Sequence, residues 1–147
     1  MEGNKVLVIT SGGFDPLHDG HVEYLKLAKS LFNNVFHICI INNDRFLLRK
    51  KGYKVLSQEQ RAKIIKELKC IDDVYYSSDD DNTVCVSIIK IFEKYHNDYN
   101  KVVFAKGGDR NKNEIPEANI CKKLGIEVID GLGNKIESSS NMIERVK

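Results

Sequence analysis

Two imidazoles, His18 and His21, stand three residues apart in the stretch Ser-Gly-Gly-Phe-Asp-Pro-Leu-His-Asp-Gly-His, residues 11–21. An imidazole can donate a hydrogen bond to an anion, and it titrates near neutrality. Gly12, Gly13 and Gly20 lie beside the pair. Further along, Arg49, Lys50 and Lys51 form a basic cluster, Lys106-Gly107-Gly108-Asp109-Arg110 a glycine-rich turn, and Ser138-Ser139-Ser140 a run of hydroxyls. Such groups, brought together, can hold a polyphosphate and stabilise charge while one phosphorus is attacked. None of them is an evident nucleophile with a paired base. Direct displacement is therefore favoured over a covalent enzyme intermediate.

The elements that must position these residues follow from periodicity. Residues 6–9 are a short apolar run, as in a strand buried on both faces. Glycines and Pro16 break it, and from about Gly20 Val22, Leu25, Ala28 and Leu31 recur at helical spacing. The two histidines thus fall where a helix begins, at unpaired amides and the positive end of its dipole, a place that attracts phosphate. A second strand is expected over 35–41, followed by a polar and basic loop over 42–54. Ser57 with Gln60 has the capping-box pattern for the next helix, with Ile64, Ile65 and Leu68 on its buried side. A third strand over 72–76 leads to the acidic run 79–81, read as a solvent-facing loop that could cap a helix starting near Thr83. That helix would gather Cys85, Ile88, Ile89, Phe92 and Tyr95 on one face. A fourth strand over 101–105, a helix over 115–124 ending at Gly125, a fifth strand over 126–129, a loop holding Gly131 and a final helix complete the chain. Alternation of this kind predicts an α/β fold, a mostly parallel five-stranded sheet with helices on both faces. Ligands in such sheets bind beyond the carboxyl ends of the strands, where the strand order reverses.

A chain of 147 residues reads as one domain over 1–147, with no repeat and no linker. Acidic and basic residues nearly balance at a net charge of +2, so nucleic acid is not an expected partner. The longest apolar run, 35–41, is too short to span a membrane, and no signal peptide is expected. Cys39, Cys70, Cys85 and Cys121 are widely separated, which suits small buried hydrophobes in a reducing cytoplasm better than a disulfide framework.

Residues 12–21, Gly-Gly-Phe-Asp-Pro-Leu-His-Asp-Gly-His, resemble the His-x-Gly-His motif of the nucleotidyltransferase superfamily, whose fold is cytidylyltransferase-like and Rossmann-like, doubly wound. Gln60-Arg61, Asp72-Asp73-Val74, Lys106-Gly107-Gly108-Asp109 and Ser138-Ser139-Ser140 extend the likeness over essentially the whole chain. Within the family it resembles glycerol-phosphate cytidylyltransferases and the adenylyltransferase domain that makes ADP-heptose. The resemblance implies transfer of CMP or AMP from CTP or ATP to a small phosphorylated acceptor, a sugar or polyol phosphate, with Mg²⁺ on the nucleotide and pyrophosphate released. It implies catalytic roles for His18, His21 and Lys51. It places Gly12, Gly13, Phe14, Asp15, Gly20, Lys50, Gly108, Asp109, Ser138, Ser139 and Ser140 at the nucleotide, and it implies a homodimer. Gly13 stands where many relatives carry threonine, and the triple serine departs from the Ser-Thr-Thr of many cytidylyltransferases. Both differences bear on the base and the acceptor.

Two other readings stand beside this one. One is a nucleotide-binding regulatory module that has lost turnover, against which the intact His18, His21 and basic loop argue, since a degenerate enzyme often loses such groups. A zinc protein would draw on His18, His21, His37 and Cys39, although the sequence does not bring the last two beside the first. By default His37, inside an apolar strand, is a hydrogen-bonded core or edge histidine.

Overall fold

The computed structural model describes residues 4–108 and 115–132. Five strands form one all-parallel sheet in the order β3-β2-β1-β4-β5: β1 (Val6–Gly12), β2 (Val35–Ile41), β3 (Asp73–Tyr76), β4 (Lys101–Gly107) and β5 (Glu127–Leu132). The order reverses between β1 and β4. Strand residues alternate between two apolar layers, as a period of two requires. Leu7, Ile9, Ile38, Ile40, Val102 and Phe104 pack beneath α4 (Cys85–Tyr95) and α5 (Ala118–Leu124). On the other face, Cys39 and Ile41 meet Tyr24 and Leu25 of α1 (Asp19–Lys29) and Ala62 and Ile65 of α3 (Gln58–Lys66), while Val6, Val8 and Val103 surround Ala28. The expected α/β sheet with helices on both faces is what the chain builds.

Local differences have local causes. The expected basic loop after β2 is largely a helix, α2 (Asp44–Lys51). Asn43 caps it, its side-chain oxygen accepting from Phe46 N at 2.8 Å, and Gly52 closes it in the left-handed region at φ 82°. Three basic residues in its last turn also favour the negative end of the dipole. In α3 the Ser57–Gln60 capping box forms as expected, but Ile64 is 42% exposed and Arg61 takes a buried position instead. Asp79 is no solvent-facing residue. It is buried, and its carboxylate accepts from the backbone amides of Val86 and Ser87 and from the Ser87 hydroxyl, capping α4. Gly131 lies within β5 rather than in a loop, and α5 begins three residues later than expected, Ile115 having entered the core. The final helix expected after the triple serine lies outside the described residues.

Candidate active site

Strand β1 ends at Gly12, and the chain turns sharply before α1. Phe14 folds back beneath that turn with φ 54°, a left-handed conformation that costs a non-glycine residue roughly 1–2 kcal/mol. Its ring packs so closely on Gly12 that a Cβ there would lie 2.6 Å from Phe14 Cζ. Only glycine fits. The Asp15–Pro16 bond is cis. Asp15, expected at the nucleotide, lines a cleft at this turn and also braces the turn. Its carboxylate oxygens accept from the amides of Val55 and Leu56, each at 2.7 Å, and hold the segment before α3 against the turn.

The histidines cap α1 reciprocally. Gly20 N donates to His18 Nδ1 at 3.1 Å, and His18 N donates to His21 Nδ1 at 3.2 Å. A ring nitrogen that accepts carries no proton, so each neutral imidazole bears its hydrogen on Nε2. The rings stack with centroids 3.7 Å apart. His18 Nε2 is buried and has no hydrogen-bond partner. Burial holds the His18 pKa below its usual value, Asp19 opposing in part. His21 is pushed down to about 4 by burial, then by His18 and by Lys51. At neutral pH the pair is thus a set of uncharged Nε2–H donors at the positive end of a helix.

Two clefts open at this edge of the sheet. One, about 160 Å³, is lined by Gly13, Phe14, Asp15, His21, Lys50 and Lys51 among others. The second, about 180 Å³, lies nearer the β1/β4 reversal and takes in Gly12, Gly13, Lys50, Lys106 and Glu117. Gly13, Asn42, Phe46 and Lys50 border both clefts, so the two meet at Lys50. Helix α2 is what brings the basic cluster here. Lys51 donates to Asp15 O at 3.1 Å, whereas Arg49 turns away to Asp81 O and Asn82 Oδ1. Of the three, Lys50 and Lys51 face the clefts. Gly20 sits in the first turn of α1, and Gly108, at φ 79°, follows β4 with its amide on Leu132 O. Asp109 and Ser138, Ser139 and Ser140 lie outside the described residues.

Several contributors had no local signal. Arg61, 1% exposed, donates to Gly13 O, Asn42 O, Leu56 O and Asp44 Oδ1 at 2.6–3.1 Å, and so ties the glycine turn to the loop after β2. Only its place after Gln60 hinted at it. Asn42 and Glu117 border the second cleft with buried, unpartnered oxygens. The zinc reading loses its ligands: His37 uses both ring nitrogens, on Thr10 Oγ1 and Cys70 O, each at 2.8 Å. Among the described residues no group of three or more His, Cys, Asp or Glu side chains could hold a metal ion.

Residues 9–145 match the cytidylyltransferase-like family, and the chain belongs to it. The chain thus falls within a class of nucleotidyl-transferring proteins. Over 97% of its length the chain is 32% identical to the bifunctional protein HldE of Pelobacter propionicus, of which it spans only 27%. It is 28% identical to the FAD synthase of Thermococcus sibiricus, covering 97% of this chain and 93% of that one. The crystal structure of a lipopolysaccharide core biosynthesis protein from Thermoplasma volcanium superposes with a TM-score of 0.62 over 85% of this chain and 94% of that one. At 23% identity that likeness speaks for the fold.

Proposed function

We propose that the chain transfers a nucleoside monophosphate from CTP or ATP to a small phosphorylated acceptor, a sugar or polyol phosphate, and releases pyrophosphate. The observation that carries this reading is the histidine pair, both rings fixed by backbone amides so that each bears its proton on Nε2, with His21 lining the first cleft. In the proposed step an oxygen of the acceptor phosphate attacks the α-phosphorus of the nucleotide. The bond from that phosphorus to the oxygen bridging to the β-phosphorus breaks, and pyrophosphate leaves with the electron pair. No proton need move. The chain's task is to align the groups and to meet charge that develops on oxygen. His18 and His21 donate to the triphosphate, and Lys50, where the clefts meet, neutralises phosphate on either side of the reacting phosphorus. Lys51 supports the same field from beside Asp15.

Mg²⁺ would supply further charge neutralisation. It needs only one or two ligands from a protein, so with no carboxylate cage among the described residues it would ride on the nucleotide phosphates and water. Asp109, Ser138, Ser139 and Ser140 belong to this proposal through the resemblance alone. The reading also places the reaction in the cytoplasm, where the four free cysteines would stay reduced. No helix among the described residues is long and apolar enough to cross a membrane.

The test is pyrophosphate release with Mg²⁺, offering CTP and ATP separately against a mixture of sugar, polyol and amino-alcohol phosphates. Release is expected with one nucleotide, only when an acceptor is present, and lower by ~10²–10³-fold in His18→Ala. Undiminished release by that variant would sink the mechanism. Tight nucleotide binding without release across the panel would point to a regulatory module.

A further inference from the structure

The second cleft contains a feature that phosphate chemistry does not explain. Glu117, 4% exposed, sits immediately before α5. One carboxylate oxygen accepts from Val84 N at 2.9 Å and so helps to satisfy the start of α4. The other, Oε1, is buried with no hydrogen-bond partner among the described residues, and so is Asn42 Oδ1 on the same cleft. A buried acceptor without a donor is unfavourable and calls for an explanation. A triphosphate does not provide one, because it brings no donor and a carboxylate repels it. His21 and Lys51 line the neighbouring cleft and not this one.

Resting on the transferase reading, we infer that Glu117 is a specificity-determining residue, which with Asn42 accepts hydrogen bonds from hydroxyls of a polyhydroxylated acceptor phosphate. Three observations favour hydroxyl over ammonium. Lys50 and Lys106 already bring positive charge to the cleft. Among the described residues Phe46 is the one aromatic side chain lining it, and Lys50 Nζ lies 5.6 Å from that ring, so these residues make no aromatic box for a quaternary ammonium. Two separate acceptors suit the paired hydroxyls of a sugar or polyol. The acceptor phosphate would then lie at Lys50, where the clefts meet, with its carbon chain extending toward Glu117.

Glu117→Gln is the informative change. The amide keeps an oxygen for Val84 N but presents an NH₂ to the cleft, turning an acceptor into a donor. Equilibrium binding would be measured on the full chain with sugar phosphates of three to seven carbons, polyol phosphates, phosphoethanolamine and phosphocholine, and separately with CTP and ATP. The inference expects hydroxylated phosphates to bind the wild type and to lose roughly 10- to 100-fold in affinity in Glu117→Gln, as expected when a charged hydrogen bond is lost. Nucleotide affinity and thermal midpoint should stay near wild type. Preference for phosphoethanolamine or phosphocholine would overturn it, as would no binding of any hydroxylated member. So would a loss confined to nucleotide, which would give Glu117 to the ribose. Pyrophosphate release on the same samples separates the two claims. Glu117-dependent binding without release would count against transfer while upholding the inference.

Discussion

The histidines of this chain divide by what their ring nitrogens are asked to do. His18 and His21 accept from backbone amides through Nδ1, which leaves the proton on Nε2, whereas His37 uses both nitrogens within the protein. Burial pushes His37 down to about 4, its bond to the Cys70 carbonyl opposing in part. In the unfolded chain the same ring binds a proton near 6.5. Above pH 6.5 neither state is protonated and the group is silent. Between 6.5 and about 4 only the unfolded state takes the proton, so stability falls as pH falls, by roughly 3 kcal/mol for the fully buried His37. His21 adds to the loss in the same window. Urea unfolding at stepwise pH should show this slope in the wild type and a shallower one in His37→Gln; equal slopes would contradict the assignment. Arg61 makes a second prediction at this scale. Arg61→Met would strip donors from Gly13 O, Asn42 O, Leu56 O and Asp44, which a thioether cannot replace. Unpairing a buried ionic group commonly costs ~3–5 kcal/mol. The thermal midpoint of the variant should drop sharply, and a midpoint near wild type would show that the turn does not depend on this guanidinium.

At the scale of elements, α2 and the start of α4 carry the site although neither contains a residue of the His-x-Gly-His motif. Helix α2 lifts Lys50 and Lys51 to the clefts, and its start depends on Asn43, whose amide also reaches Asp79 O at 2.9 Å. Asn43→Ala should cost about 1–2 kcal/mol, more than a solvent-exposed cap because two contacts go together. Its Michaelis constants should rise before its turnover falls, since the lysines lose their support first. Steady-state kinetics would reveal the opposite order if α2 merely served stability. This helix was hidden in the sequence by its charge, four of its eight residues being Arg or Lys. Its boundaries were there to be read in Asn43 and Gly52. Asp79 was hidden differently. Nothing local separates it from Asp80 and Asp81, and only the packing of α4 against the sheet buries one of the three.

At the scale of the molecule, the five strand-like runs and their glycine-rich ends sufficed to give the parallel sheet and the edge at which ligands gather. Each run is short, apolar and followed by residues that cannot continue it, so local signal and global fold agree. The clefts themselves were not legible, because they join residues from distant segments: Arg61 to Gly13 across 48 positions, Glu117 to Val84 across 33. The histidine pair was legible because its geometry is local, set within four residues by a helix start. The same placement of basic groups at one edge predicts salt-dependent nucleotide binding. Lys50→Ala should weaken both nucleotide and acceptor, being shared between the clefts, while Arg49→Ala, tied to Asp81 and Asn82, should weaken neither by more than a few-fold. Titration calorimetry on the two variants would decide it, and equal losses would mean that the cluster acts only as diffuse charge.

On the proposed function, His18 and His21 present Nε2–H as neutral imidazoles to the phosphates of a nucleotide. Nitrogen-15 spectra of their ring nitrogens at neutral pH, recorded with and without Mg²⁺ and CTP or ATP, would report this. The neutral Nε2–H form is expected for both rings in the free protein, with a shift of those Nε2–H signals when the effective nucleotide is added. Charged rings, protons on Nδ1, or signals untouched by either bound nucleotide would contradict it.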